Sequence, residues 1–296
     1  MPVPHPHVLT LVADRAATVL DDGVIADVRD AIGGGRAVTL APGEAADLHC
    51  VAPPDLAAAA AALAGRPIDA LAVPAANRRK ALLVADMDST IVTGETLDDL
   101  ADKAGLKAEI AAITRRSMNG EIDFAEALRQ RVAMLRGLKL SALEETWRET
   151  RLMPGAHELI ATMRAHGALT ALVSGGFTYF TGRVASLAGF DLHRANTLLD
   201  DGEALTGQVA EPILDRNAKL ATLRELAAAR GLRISATLAV GDGANDLDML
   251  REAGLGVAFH AKPIVAREAR ARVDHGSLRA LLFAQGYHLG QIVNGG

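Results

Sequence analysis

Four short apolar runs, separated by long helical patterns, constrain the fold of this chain more than any other feature of its sequence. The runs are Ala81–Ala85, Leu169–Val173, Ala236–Val240 and Leu255–Phe259. Strands of a parallel sheet are covered on both faces, so they read as continuous apolar runs rather than as alternating patterns. Because helical patterns lie between the runs, we expect an α/β fold with a doubly wound parallel sheet.

The segment between the first two runs is too long for a simple crossover. Residues 96–149 are charge-rich, and Leu97, Leu100, Ala101 and Ala104 recur at helical spacing. We therefore predict an inserted helical cap at about residues 92–150.

The first 77 residues have a different pattern. Short apolar runs and helical spacing alternate in the order β-α-β-β-α-β, which predicts a small ferredoxin-like α+β unit. The predicted strands are Val8–Val12, Ala37–Leu40, Asp47–Val51 and Ile68–Val73, and the predicted helices are Val19–Ile32 and Asp55–Leu63. Residues 74–80 read as a linker, so we divide the chain of 296 residues into domains 1–77 and 78–296.

Composition excludes several classes of protein. The net charge of −5 argues against a nucleic-acid partner. No stretch reaches the roughly 18 apolar residues that a membrane span needs, and the N-terminus has no signal-peptide pattern. Cys50 is the only cysteine, so no internal disulfide can form. We expect a cytoplasmic protein with no membrane partner.

Polar residues follow three of the four apolar runs. Asp86 and Asp88 follow the first, Ser174-Gly175-Gly176 the second, and Gly241–Asp246 the third. Each group alone is typical of a helix cap, a turn or a loop. In an open α/β sheet, however, the carboxyl ends of the strands meet where ligands bind. Their joint occurrence therefore predicts one shared active site.

The residue types in that site indicate a metal ion and a phosphate group. Converging carboxylates repel one another unless a cation compensates. Oxygen ligands without cysteine or paired histidines favour Mg²⁺ over zinc. The Ser174 hydroxyl and glycine N–H groups can hold phosphate oxygens, and Lys219 would add positive charge.

These motifs, in this order, resemble those of the haloacid dehalogenase (HAD) superfamily, and within it they are most similar to the phosphoserine phosphatases. The resemblance covers about residues 78–290. It extends into the predicted cap, through Glu95 and the segments Met118–Phe124 and Leu128–Val132. The N-terminal unit is similar to the amino-acid-binding (ACT-like) domains of some family members, although it carries no motif.

The resemblance implies a role for each strand-end residue. Asp86 would attack phosphorus as the nucleophile, and Asp88 would donate and then accept a proton. The metal ligands would be the Asp86 carboxylate, the Asp88 backbone carbonyl and Asp242. The phosphoryl group would be held by Ser174, Gly175 and Lys219, with Asn245 and Asp246 orienting the site.

The resemblance also implies that the substrate is the small molecule phosphoserine, hydrolysed in the last step of serine synthesis. Glu95 would bind its ammonium group and Arg131 its carboxylate, since arginine presents a planar fork to a carboxylate. Met118 and Phe124 would close an apolar lid over it. Without the resemblance, Glu95 and Arg131 would read as exposed charges on helices.

Other functions remain open from the sequence. The chain could pass the phosphoryl group to homoserine, or hydrolyse the phosphate ester of another small metabolite. It could also be a non-enzymatic amino-acid sensor built on the N-terminal unit. Whether that unit regulates the site or forms a homodimer is left undetermined.

Overall fold

The computed structural model describes residues 5–118, 121–215 and 217–294, and of Met118 only the backbone. Within these ranges, none of the helices combines the length and the apolar character that crossing a membrane requires.

The N-terminal unit has the predicted order β-α-β-β-α-β. Its elements are β1 His7–Ala13, α1 Asp22–Ala31, β2 Ala37–Ala41, β3 Ala45–Cys50, α2 Leu56–Leu63 and β4 Ile68–Pro74. The strands form an antiparallel sheet in the order β2-β3-β1-β4. Helix α1 begins three residues later than its apolar spacing predicts, because the Asp21 side chain accepts from Val24 N–H and caps it.

The second unit contains the predicted doubly wound parallel sheet, with six strands in the order β12-β11-β10-β5-β6-β7. Its strands are β5 Leu82–Ala85, β6 Leu169–Phe177, β7 Leu192–Asn196, β10 Thr237–Gly241, β11 Leu255–Phe259 and β12 Ala271–Val273. The chain moves from β5 to β6 and β7, then returns to β10 on the other side of β5. The direction of winding reverses at β5, which is the ligand-binding position in such sheets.

The sequence pattern missed four strands. Strands β7 and β12 lie at the two edges of the parallel sheet, and β8 Leu198–Asp200 pairs with β9 Leu205–Val209 in a separate hairpin. In β12, buried Ala271 and Val273 flank exposed Arg272. An edge strand needs apolar residues on fewer sides, so a search for continuous apolar runs overlooks it.

The inserted segment is helical, as predicted. It comprises α3 Thr96–Lys103, α4 Lys107–Met118, α5 Phe124–Met134 and α6 Leu140–Glu149. The β8–β9 hairpin is hydrogen-bonded to this segment. Gly137 N–H donates to the Leu205 carbonyl (2.8 Å), and Leu140 N–H donates to the Glu203 carbonyl (3.0 Å).

The helices that flank the parallel sheet are α7 Ala156–Ala165, α8 Thr178–Ala188, α9 Ala218–Ala229, α10 Leu247–Glu252, α11 Pro263–Glu268 and α12 Ala280–Ala284. One buried apolar cluster includes Leu71 of β4, Leu83 of β5 and Leu128 of α5. The N-terminal unit, the sheet and the cap therefore share a continuous core.

A buried ion pair joins the two units. Arg78 lies in the predicted linker and donates to both oxygens of Asp47 on β3, at 2.5 and 3.0 Å. It also donates to the Thr10 hydroxyl and to the backbone carbonyls of Phe283 and Ala284. A buried charge is tolerated when paired and hydrogen-bonded, and Arg78 meets both conditions with groups from both units.

Two further carboxylates of the N-terminal unit bind the C-terminal segment. Glu44 forms a bidentate pair with Arg279, at 2.8 and 2.9 Å. Asp69 accepts from the backbone N–H groups of residues 274–276, with shortest distances of 2.7, 3.2 and 2.7 Å. These contacts hold residues 274–279 against the N-terminal unit.

Replacing Asp47 with alanine should strongly destabilise the protein, because it leaves the Arg78 guanidinium buried without its counter-charge. We expect the free energy of unfolding to fall by about 3–5 kcal/mol, measured by denaturant titration. Asp30→Ala removes the exposed partner of Arg29 and should cost much less. Equal losses in the two variants would contradict a structural role for the Arg78–Asp47 pair.

Candidate active site

Asp86 begins the site directly after β5. Its backbone N–H donates to the Val240 carbonyl of β10 (3.0 Å), which continues the pairing of the two strands past Ala85. Asp86 is only 6% exposed, and its Oδ1 accepts from Met87 N–H at 2.7 Å. The strand pairing therefore sets the position of a buried carboxylate at the switch point of the sheet.

Strand β10 brings two more carboxylates to the same place. Oxygens of Asp86, Asp242 and Asp246 all lie within 4.8 Å of one another, and all three residues are buried. Gly241 permits this approach, because a Cβ at that position would overlap the Asp246 carboxyl group. Asn245, in the same turn, folds its side chain towards Gly243.

Lys219 of α9 is the cation that this cluster contains. Its Nζ lies 2.8 Å from Asp86 Oδ2 and 2.6 Å from Asp246 Oδ1. Burial lowers the pKa of Lys219, but the charges of Asp246 and Asp86 outweigh it and leave the pKa above its usual value. Burial and then Asp246 raise the pKa of Asp86, against the opposing effect of Lys219.

The donor set fits a metal ion. Three carboxylates face two lysines, the buried Lys219 and the exposed Lys262, so the cluster retains excess negative charge that a cation would relieve. Asp246 has both oxygens engaged, with Lys219 and with Gly243 N–H (3.0 Å). Asp86 is engaged in the same way, by Met87 N–H and Lys219, whereas Asp242 has the longer contact with Lys262 (3.4 Å). Because an ionised carboxylate oxygen has a second lone pair, Asp86 can still ligate an ion together with Asp242.

Asp88 lies beside Ser174, which belongs to the C-terminal half of β6. The Ser174 hydroxyl donates to Asp88 Oδ2 (3.3 Å) and accepts from Gly176 N–H (2.8 Å). Asp88 Oδ1 accepts from Thr96 N–H of the cap at 2.8 Å. Burial raises the pKa of Asp88, and the hydrogen bonds oppose that rise. A raised pKa favours the protonated form of Asp88, which suits a group that donates a proton.

The cap contributes Glu95 and Phe124 to the site. Ser89, with φ at 53°, turns the chain so that its hydroxyl donates to Glu95 Oε1 at 2.8 Å. Burial, and then the charge of Asp88, raise the pKa of Glu95 to about 6. The Phe124 ring lies over Gly175, where an added Cβ would be 3.1 Å from it.

Arg131 is turned partly towards its own helix. Its Nε donates to the Ala127 carbonyl (3.2 Å), and Nη1 reaches Thr114 Oγ1 at 3.5 Å. Burial lowers its pKa, while the charges of Asp98 and Glu95 raise it. The charges of Arg131 and Glu95 therefore interact. The side chain of Met118, also predicted for the substrate site, lies outside the described residues.

Sequence reasoning missed two residues at this site. Lys262 N–H donates to the Asp242 carbonyl (3.1 Å), and its Nζ lies 3.4 Å from Asp242 Oδ2. It follows the fourth apolar run, so the rule that singled out the other strand ends would have found it. Thr96 is buried at the start of α3, and its backbone N–H donates the cap's hydrogen bond to Asp88. No sequence signal distinguishes it from a helix-start threonine.

A sequence profile described as haloacid dehalogenase-like hydrolase matches residues 83–251, which include Asp86, Asp88, Ser174, Asp242 and Asp246. The chain belongs to the haloacid dehalogenase-like hydrolase family. The profile match covers β5, the cap, β6 and β10 and therefore the whole carboxylate cluster. The predicted superfamily is thus confirmed.

Relatives within the HAD family carry more specific names. A phosphoserine phosphatase of Streptomyces coelicolor is 45% identical over 232 residues, covering 78% of this chain and 56% of that protein. The alignment thus spans about half the length of this relative.

Solved structures of HAD proteins are also similar to this chain. A HAD family hydrolase of Salmonella enterica serovar Typhi superposes with a TM-score of 0.82 at 26% identity, covering 95% of this chain and 98% of its own. A structure described as a phospho-aspartyl intermediate analogue of phosphoserine phosphatase has a TM-score of 0.64 at 38% identity, covering 69% and 98%. The first includes the N-terminal unit, whereas the second covers a share close to that of the second unit.

A divalent cation should stabilise the protein through the carboxylate cluster. Because ligand bound to the folded state shifts the unfolding equilibrium, added Mg²⁺ should raise the midpoint of thermal unfolding. Asp242→Asn should abolish most of this shift, measured by calorimetry. Asp248→Asn, an exposed acid on α10, is the matched control and should retain it. An equal shift in the two variants would place the cation elsewhere.

Proposed function

We propose that this protein is a magnesium-dependent phosphoserine phosphatase, which hydrolyses O-phospho-L-serine to L-serine and phosphate in the last step of serine synthesis. The observation that carries the proposal is the arrangement of Asp86 against Lys219, with the protonatable Asp88 on the same loop. The name and identity of the Streptomyces relative, and the named phospho-aspartyl analogue structure, support the choice of substrate and intermediate.

Asp86 acts as the nucleophile in the first step. A carboxylate oxygen forms a bond to phosphorus as the bond from phosphorus to the serine oxygen breaks, giving an aspartyl-phosphate. Lys219 favours the charged form of Asp86 that this attack needs. Asp88 donates its proton to the departing serine oxygen, which its raised pKa supports.

The second step reverses the flow of the proton. Asp88 is now ionised and accepts a proton from water as that water attacks phosphorus. The bond from phosphorus to Asp86 breaks, which regenerates the Asp86 carboxylate and releases free phosphate. The bonds from Thr96 N–H and Ser174 Oγ orient Asp88 for both steps.

The phosphoryl group is held by residues in the C-terminal half of β6 and by Lys219. Ser174, the N–H of Gly175 and Lys219 donate to its oxygens as negative charge spreads over them. Mg²⁺ would be bound by the Asp86 and Asp242 carboxylates and the Asp88 backbone carbonyl. When bound, it neutralises the repulsion between nucleophile and phosphate. Asn245 and Asp246 orient the residues of the site, and Asp246 does so through its bond to Lys219.

The cap selects the amino acid. Glu95 binds the substrate ammonium group and Arg131 its carboxylate, the latter after turning from the Ala127 carbonyl. Phe124 and Met118 cover the apolar part of the substrate, and closure of the cap excludes water until the product leaves.

We also propose the domain division at residues 77 and 78, with an ACT-like first domain. The cytoplasmic location and a homodimer stay predictions.

The central test is release of phosphate from L-phosphoserine. The protein with Mg²⁺ should release it, and Asp86→Asn should lower kcat by at least roughly 10³-fold, because the amide is not a nucleophile. Asp248→Asn should leave the rate unchanged. Activity that persists in Asp86→Asn, or a protein inactive on phosphoserine but active on another phosphate ester, would refute the proposal.

The pKa of Glu95 predicts a pH dependence of substrate capture. Its raised value of about 6 means that Glu95 is neutral below pH 6 and charged above it. The advantage of the wild type over Glu95→Gln in kcat/KM should therefore be large above pH 7 and shrink as pH falls through 6. The ratio of the two enzymes cancels the titration of the substrate phosphate, whose second pKa is also about 6. A ratio that does not change with pH would exclude charged Glu95 from binding.

A further inference from the structure

A cleft away from the carboxylate cluster lies between the two units of the chain. One wall is formed by α2 and β4 of the N-terminal unit, and the other by α11, β12 and the loop that follows. Its volume is about 360 Å³, within the range of roughly 300–1,000 Å³ of small-molecule sites. None of the residues assigned to catalysis lines it.

The sequence of α2 makes room for the cleft. Between Leu56 and Leu63 this helix contains only alanines, so its surface is shallow between two larger side chains. Leu63 is buried, whereas Leu56 at the mouth is 42% exposed. With Ala266 of the opposite wall, these residues give the cleft an apolar section.

The charges around the cleft do not cancel. Asp69 is saturated by the backbone N–H groups of residues 274–276, and Asp274 pairs with Arg272 at 2.8 Å. Arg66 and Arg270 also line the cleft, and neither pairs with a carboxylate in the part of the chain that the structure describes. Three arginines and two aspartates line the cleft, so one positive charge is in excess, and the arginine without a carboxylate partner on each wall can meet an anion.

We propose that this cleft is a binding site for a small organic anion, with a carboxylate or phosphate group attached to a short apolar chain. Arginine forks match both kinds of anionic group, and Arg66 and Arg270 present them from opposite walls. The apolar chain lies against Leu56 and Leu63. Such a ligand contacts both units at once, and its binding is independent of the proposed phosphatase activity.

The experiment is calorimetric titration of the full chain with hexanoate, butylphosphonate, sulfate and hexanol. Hexanoate or butylphosphonate should bind, and the stronger of the two identifies the anionic group. Sulfate lacks the apolar chain and hexanol lacks the charge, so both should bind more weakly. The bound probe should also raise the midpoint of thermal unfolding.

The double variant Arg66→Gln, Arg270→Gln should weaken binding of the better probe by about tenfold or more, because charged hydrogen bonds are lost. Both arginines are exposed, so the fold should survive. Arg267→Gln is the matched control, since Arg267 is exposed on α11 but does not line the cleft. Absence of binding by both hexanoate and butylphosphonate up to about 10 mM, or equal affinity in the double variant and the control, would overturn the proposal.

Discussion

The buried contact of Lys219 with Asp86 and Asp246 is the interaction on which the rest of the site depends. Placing several carboxylates at one sheet edge is costly, because each is removed from water and repels the others. Lys219 offsets part of this cost at 2.8 and 2.6 Å. Lys219 does not contact Asp242, whose side chain instead lies 3.4 Å from Lys262 Nζ. Of the three carboxylates, Asp242 is therefore the one held least closely by a lysine.

The cap and the sheet each donate a hydrogen bond to the Asp88 carboxylate. Thr96 N–H reaches it from the cap and Ser174 Oγ from β6. A movement of the cap that releases the Thr96 contact would therefore alter the proton affinity of Asp88 directly. The Phe124 ring over Gly175 joins the same two parts, so cap position and phosphate-binding geometry are coupled by contact.

A chain of contacts also links the N-terminal unit to the carboxylate cluster. Asp69 holds the backbone of residues 274–276, and the Gly276 carbonyl contacts His260 Nε2 at 2.8 Å. Two residues later, Lys262 contacts Asp242 through both its backbone and its side chain. The N-terminal unit thus helps to position the loop of residues 260–262, which contacts Asp242, a proposed metal ligand.

The sequence by itself determined the central strands, the helical cap, the order of elements in the N-terminal unit and the strand-end residues. Continuous apolar runs and strand-end polar groups are local patterns, and each requires only neighbouring residues. Only the tertiary structure decided that Asp246 joins the cluster through Lys219, that Lys262 reaches Asp242, and that Arg78 bridges the units. The edge strands β7 and β12 belong with these, because neither is a continuous apolar run and each is recognised only by its pairing with a neighbouring strand. Distances between side chains from different strands depend on how the whole sheet packs, and no local pattern encodes them.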